Sequence, residues 1–351
     1  MGRLVISGIG PLSPLGTGRE AYWEAVLRGA SCIQEVSGFS SLRDTKGSRI
    51  AGQEIEKYVD DRRFRRAADI SKYAIAAVRL AMGDAGIGSL RGEETGLIVA
   101  VTHGAMQYTE EYHRALVTGG AEDVSPILFS DSVLNAPAGN VALCFGIQGA
   151  AHTVVGSVSA FIKGIMLAER LMDAGLLKRV IVVSAEELNE LSFFCRTAFE
   201  GTPLSEGAGA LLIEREDPSS TGEPYCRIAG HGAFFDPLHM EHAFEKAVEG
   251  ALAMGGITMD DVKFAFIDAP PDLCDGRLGS VPSGSITQFT GNAFCVSAAW
   301  NVILASLAIR HGIVPDAFWE DRRPRDSART LLVCNLEETG AASAVVLSSP
   351  D

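Results

Sequence analysis

Between Ala150 and Gly175 the chain reads AAHTVVGSVSAFIKGIMLAERLMDAG. An apolar run over residues 152–155 breaks at Gly156-Ser157 and passes directly into a pattern with apolar residues three and four apart, the signature of a helix with one buried face. A strand that turns through a tight corner into an amphipathic helix needs a sheet for that helix to pack on. This one stretch therefore commits the chain to stacked α/β layers. It is also how an α/β enzyme presents a nucleophile at the positive end of a helix. Yet the residue at the corner, Val158, has no reactive atom.

The same grammar recurs along the chain. Strands are expected over residues 4–8, 96–101, 152–155, 180–184 and 208–214, with helices over 19–28, 71–85 and 159–174. A second, compressed round follows, with strands over 227–232, 264–268, 331–335 and 344–348 and helices over 240–254 and 290–311. Between the rounds lies EREDPSSTGEPYC, a stretch of linker composition. The expectation is two similar α/β halves, 1–220 and 221–351. The 38 glycines among 351 residues suit a fold with many strand–helix corners.

Charge and cysteine usage narrow the function classes. A net charge of -14 argues against nucleic acid or an anionic membrane as partner. The seven cysteines form no C-x-x-C pair and no His/Cys spacing of a metal site, so no metal and buried reduced thiols in a cytoplasmic protein are expected. The opening MGRLVISGIGPLSPLG lacks the charged and long apolar regions of a signal peptide. The apolar run over 298–309 is too short to span a bilayer.

Four segments, LVISGIGPLSPLG, AAVRLAMGDAGI, VSPILFSDSVLNAPAGNVALCFGIQGAAHTVV and PLSEGAGALLIE, stand in an order and spacing that resemble the β-ketoacyl-acyl-carrier-protein synthases, condensing enzymes of the thiolase fold. The resemblance covers most of the chain, nearly ungapped to Glu214 and weaker beyond. It implies an α/β fold layered αβαβα. It also implies a cysteine nucleophile in a T-A-C-x-S corner. Matching Thr153, Ala168, Arg170, Gly175 and Glu186 to their counterparts puts Val158 at that cysteine. The first histidine belongs to an N-A-H-G-T segment, here DAPPD, which puts Pro270 at the histidine. A lysine and the second histidine end T-K-S-M-T-G-H, here ITQFTGN, which puts Thr287 and Asn292 in their places. The glycine- and phenylalanine-rich gating loop shrinks to NLEETGAAS, from Asn335 to Ser343. Valine cannot form a thioester, proline has no side-chain donor, and asparagine does not change protonation near neutral pH.

Such a chain is similar to the inactive chain-length factors that pair with an active ketosynthase in type II polyketide, aryl-polyene or fatty-acid-like elongation. The resemblance implies a heterodimer through the strand of His152, Thr153, Val154 and Val155, with His103, Leu128 and Phe129 bordering the acyl tunnel and interface. Chain-length factors of aromatic polyketide systems often carry glutamine at the cysteine position, so Val158 marks a departure. No cofactor of its own is implied, because a partner acyl carrier protein presents the phosphopantetheine arm. The cluster Arg62, Arg63, Arg65 and Arg66 on an acidic chain suits docking of that carrier. It equally suits a solvated helix start paired to Asp60, Asp61 and Asp69. Two alternatives stay open: a relocated nucleophile, Ser157 or Cys195, and a degenerate homodimer that binds acyl groups. Ser157 and Ser159 flank the corner, but no histidine is identifiable from sequence as their base. Product length, starter unit, carrier protein and pathway are not written in the sequence.

Overall fold

A computed structural model of the chain describes residues 2–36, 46–175, 177–194, 202–217, 222–270, 276–319 and 328–350. Its principal strands are β1 (Leu4–Ser13), β2 (Thr95–Val101), β3 (Ala151–Val155), β4 (Arg179–Glu186), β5 (Gly207–Arg215), β6 (Cys226–Phe235), β7 (Phe264–Asp268), β8 (Ser283–Gly284), β9 (Thr330–Leu336) and β10 (Ala341–Ser348). Its principal helices are α1 (Asp69–Asp84), α2 (Met106–Gly119), α3 (Pro126–Ser132), α4 (Ala136–Phe145), α5 (Ala160–Asp173), α6 (Met240–Gly255) and α7 (Cys295–His311).

The strands run β3-β2-β4-β5-β1 in the first half and β8-β7-β9-β10-β6 in the second, the same order twice. In each half the first three strands are parallel, and the fourth is antiparallel to both neighbours. The halves meet edge to edge where β1 pairs β6 at Leu4–Ile228, Val5–Arg227 and Ile6–Cys226. Even the irregularities repeat. The β1–β5 register shifts between Ile6 and Gly8, and the β6–β10 register shifts between Ile228 and Gly230. Both shifts adjoin a Gly-x-Gly that lets the outer helix sit on the strand. A Cβ at Gly10 would lie 2.0 Å from the Ala77 carbonyl oxygen of α1, and one at Gly232 would lie 2.2 Å from that of Ala247 in α6. Glycine is required by this close approach.

Five layers result. α1 packs Ile70, Ala74, Ala77 and Val78 on the outer face of the first sheet, and α6 packs Phe244, Ala247 and Ala251 on that of the second. Between the sheets, α5 and α7 share one core with residues of both, including Ile162, Ile165, Trp300, Ile303, Leu211 and Val345. This explains why α7 is apolar all round: Cys295 to Ile309 are all buried. This is the αβαβα layering that the resemblance implies. Among the described residues no helix is long and apolar enough to cross a membrane, and Cys32, Cys144, Cys226, Cys295 and Cys334 are unbridged.

Two sequence expectations need correction. The helix expected over 290–311 is broken: a short helix, Thr287–Thr290, ends at Gly291, and α7 begins only at Cys295. Gly291 (φ 79°) and Phe294 (φ 53°) both take positive φ there, which no helix tolerates. The segment between β2 and β3 carries α2, α3 and α4, none of which was read from the pattern. Pro126 and Pro137 at the first turns of α3 and α4 were the available signal. The boundary expected at 220 falls between β5 and β6, where residues 218–221 lie outside the described residues.

Candidate functional site

In a parallel sheet the carboxyl ends of the strands open toward a crevice. Here the ends of β2, β3, β7 and β9 and the loop before α7 enclose a cleft of ≈ 780 Å³. Val158, Pro270, Thr287 and Asn292 all line it. Four residues from separate segments, each placed by resemblance at a family catalytic position, thus share one cavity. None carries a thiol or a group that titrates near neutral pH.

Three of the four have a local role instead. Val158 is buried, 6% exposed, and its carbonyl accepts a 3.0 Å hydrogen bond from Asn335 Nδ2. Asn292 Oδ1 accepts from the Phe294 N–H at 2.7 Å, which holds the left-handed turn before α7. The Asn292 backbone is strapped to Pro203 and Ser205. Thr287 Oγ1 donates to Ser285 Oγ at 2.9 Å.

The first turn of α5 holds an acid that sequence reading missed. Glu337, from the shortened loop after β9, accepts hydrogen bonds from the backbone N–H of Ser159 at 3.1 Å and from Ser159 Oγ. The helix end that would favour a thiolate is already neutralised by a carboxylate. The sequence signal was the acidic NLEETG in place of a glycine-rich loop.

His103 also lines the cleft, and its Nδ1 lies 3.3 Å from Oε2 of Glu186, a carboxylate only 1% exposed. Glu186 further accepts from the Thr102 N–H and stands 3.3 Å from the Cys295 thiol. Burial, and then the Glu186 charge, push the Cys295 thiol up, so it is no thiolate. The edge of the His103 ring meets Phe294, centroids 4.4 Å apart. Asp268, at the end of β7, lines the same cleft. Its Oδ2 is shielded from solvent with no hydrogen-bond partner among the described residues, and burial pushes the carboxyl up to about 7.

The interface candidates lie on another face. β3 is the terminal strand of the sheet, and its outer edge has no partner among the described residues. His152 and Val155 are exposed, and Thr153 and Val154 are half-buried. Thr153 Oγ1 is buried without a hydrogen-bond partner among the described residues. α4 packs beside β3, and α3 packs on α4. From these elements Ile127, Phe129, Leu143 and Val155 each expose more than half their surface. Leu128 is half-buried on α3. Isolated exposed apolar residues are ordinary, but a contiguous face beside a free strand edge marks a contact surface.

The arginine cluster divides. Arg63 is held by Asp61 at 2.7 Å, while Asp60 and Asp69 pair with Arg79 and Lys72 instead. Arg62, Arg65 and Arg66 are exposed. Cys195 lies outside the described residues. Among the described residues no cluster of three or more His, Cys, Asp or Glu is arranged to hold a metal ion.

The fold and the cleft at its strand ends define a thiolase-like condensing-enzyme architecture. The family model for the N-terminal domain of β-ketoacyl synthases matches residues 1–219, and the chain belongs to that family. It is 24% identical over 323 residues to 3-oxoacyl-[acyl-carrier-protein] synthase 2 of Vibrio cholerae, covering 82% of this chain and 76% of that protein. The ishigamide ketosynthase/chain length factor superposes with a TM-score of 0.90 at 18% identity, covering 100% of both chains. A ketosynthase in complex with its chain length factor from Xenorhabdus doucetiae gives 0.78 at 15% identity, covering 99% of this chain and 98% of that one.

Proposed function

We propose that this chain is a ketosynthase-like subunit that does not catalyse condensation, a chain-length factor, that pairs with an active β-ketoacyl-acyl-carrier-protein synthase and shapes its acyl tunnel. The observation that carries this reading is the cleft itself. It gathers Val158, Pro270, Thr287 and Asn292, the residues that the resemblance assigns to the reacting positions, and Glu337 fills the helix end. Condensation needs a thiolate to take the acyl chain and donors for the thioester carbonyl. At those positions the cleft supplies no thiolate and no imidazole, only the neutral hydroxyl of Thr287 and the amide of Asn292.

The free edge of β3 and its apolar surroundings support a partner seated there, with the buried area of an obligate interface, above about 2,000 Å². Two structurally similar proteins are themselves described as a ketosynthase with a chain length factor. Arg62, Arg65 and Arg66 are the docking candidates for an acidic acyl carrier protein, which would steer it by charge. Its phosphopantetheine arm would then serve the partner's site.

The test is reconstitution. The chain alone is expected neither to decarboxylate malonyl-carrier protein nor to form a condensed product. Together with an active ketosynthase as partner, it should co-purify one to one and yield elongated product. Condensed product from the chain alone would overturn the reading, as would a ketosynthase that elongates to the same length without it.

A further inference from the structure

Three parallel strands of the first sheet, β3, β2 and β4, lie side by side, and a polar residue stands at or two residues beyond the carboxyl end of each. Val101 of β2 is in register with Val155 of β3, and the Gly156 N–H still donates to the Val101 carbonyl at 3.1 Å. His103 and Ser157 each stand two residues beyond that registered pair and line the same cleft. On the other side of β2, β4 ends in Glu186, whose carboxylate pairs with His103 Nδ1. The order across the sheet is therefore Ser157, His103, Glu186. With Nδ1 engaged by the carboxylate, Nε2 is the ring nitrogen left for exchange. Among the described residues the Ser157 hydroxyl makes no hydrogen bond.

We propose that Ser157, His103 and Glu186 form a hydrolytic relay that cleaves acyl thioesters in this cleft. Ser157 is the nucleophile, His103 the general base and then acid, and Glu186 the positioning residue that fixes the ring. The Ser157 oxygen attacks the thioester carbonyl as His103 Nε2 takes its proton. The C–S bond breaks, and that proton passes to the departing thiol. Water then attacks the Ser157 ester, giving its proton to His103. The ester C–O bond breaks, and the proton returns to the Ser157 oxygen. One thioester and one water yield one carboxylic acid and one thiol. Val158, Phe294, Pro270 and Leu336 give the cleft an apolar wall for the acyl chain. No carbon–carbon bond forms, so this activity needs none of the condensing residues and stands apart from the partner-subunit reading. An inert Ser157 leaves pairing untouched, and a failure to pair leaves this relay untouched.

The purified full-length chain is treated with a fluorophosphonate, and the modified peptide is identified by mass spectrometry. Release of thiol from octanoyl-N-acetylcysteamine is followed in parallel. Label is expected on Ser157. Ser157→Ala should abolish the label and lower hydrolysis at least about ten-fold. His103→Ala should do the same and be partly rescued by added imidazole, with His103→Gln as the substitute if the alanine variant melts early. Glu186→Gln should shift the pH profile of hydrolysis, a readout that lost packing would not produce. No label on Ser157, under conditions that label a control serine esterase, overturns the proposal. So does labelling indifferent to His103, or hydrolysis unchanged in Ser157→Ala.

Discussion

Glu337 silences the corner more firmly than the missing cysteine does. A thiol restored by Val158→Cys would sit beside a carboxylate that already occupies the first turn of α5, and negative charge there disfavours a thiolate. The positions that the resemblance assigns to the histidines would still hold Pro270 and Asn292, both in the cleft. Val158→Cys is therefore expected to give no condensation, and Val158→Cys with Glu337→Gln only a more reactive thiol, read by the rate of alkylation with iodoacetamide. Two acids carry a pH signature. Burial pushes both Asp268 and Glu187 up to about 7. Each binds its proton in the folded chain across a range where the unfolded chain has released it, so stability falls as pH rises from about 4 to about 7 and levels off above. Glu187 is compensated, since it accepts from the N–H groups of Ile70 and Gln107 at 3.0 Å in the first turns of α1 and α2. Asp268 Oδ2 has no such partner among the described residues. Asp268→Asn should accordingly stabilise the chain at pH 8, by about 1–2 kcal/mol given its partial exposure, with the gain vanishing near pH 4. Thermal melts across that range decide it. An unchanged or lower melting point at pH 8 would mean that the charge is satisfied after all.

At the scale of elements, β3 has two kinds of residue. The Gly156 N–H and the Ala150 carbonyl both bond inward to β2, so by strand alternation His152 and Val154 also direct their amides inward. Thr153 and Val155 direct theirs to the free edge. Thr153→Pro removes an edge donor and places a ring where a partner strand would lie. It should abolish co-purification while leaving the isolated chain folded. Val154→Pro should instead damage the chain's own ladder. A Thr153→Pro chain that still elutes as a tight complex would put the interface elsewhere. The Gly-x-Gly pairs of β1 and β6 belong to the same scale. Gly232→Ala would drive a methyl into the α6 backbone, a clash expected to cost about 1–3 kcal/mol.

For the whole molecule, the proposed length control would depend on what this chain places against its partner. Leu128, on α3 beside the apolar face, is the position the resemblance directs toward the partner's acyl pocket. Leu128→Trp should shorten the product of the reconstituted pair, and Leu128→Ala should lengthen it by about one extension unit. Truncation of a core leucine alone costs about 2–5 kcal/mol, so dimer integrity is measured first. Mass spectra showing one length distribution for all three chains, and for variants of His103 and Phe129, would leave a scaffold that only stabilises its partner.

The sequence determined the layers. Periodicity of two and of three to four residues is a local property, so every long strand and the helices α1, α5 and α6 were legible, as was the doubling of the plan, whereas α4 beside β3 was missed and α7 was started too early. Order and spacing of short segments placed Val158, Pro270, Thr287 and Asn292, and the fold brings all four to one cleft. What remained hidden depends on contacts between residues far apart in the chain. Glu337 reaches Ser159 across 178 positions, and Glu186 reaches His103 across 83. A carboxylate's role is set by which N–H groups and which burial it meets, and neither has a sequence period. The tertiary structure alone therefore decided that the helix end is filled, that Asp268 lacks a partner among the described residues, and that Ser157 and His103 share a wall.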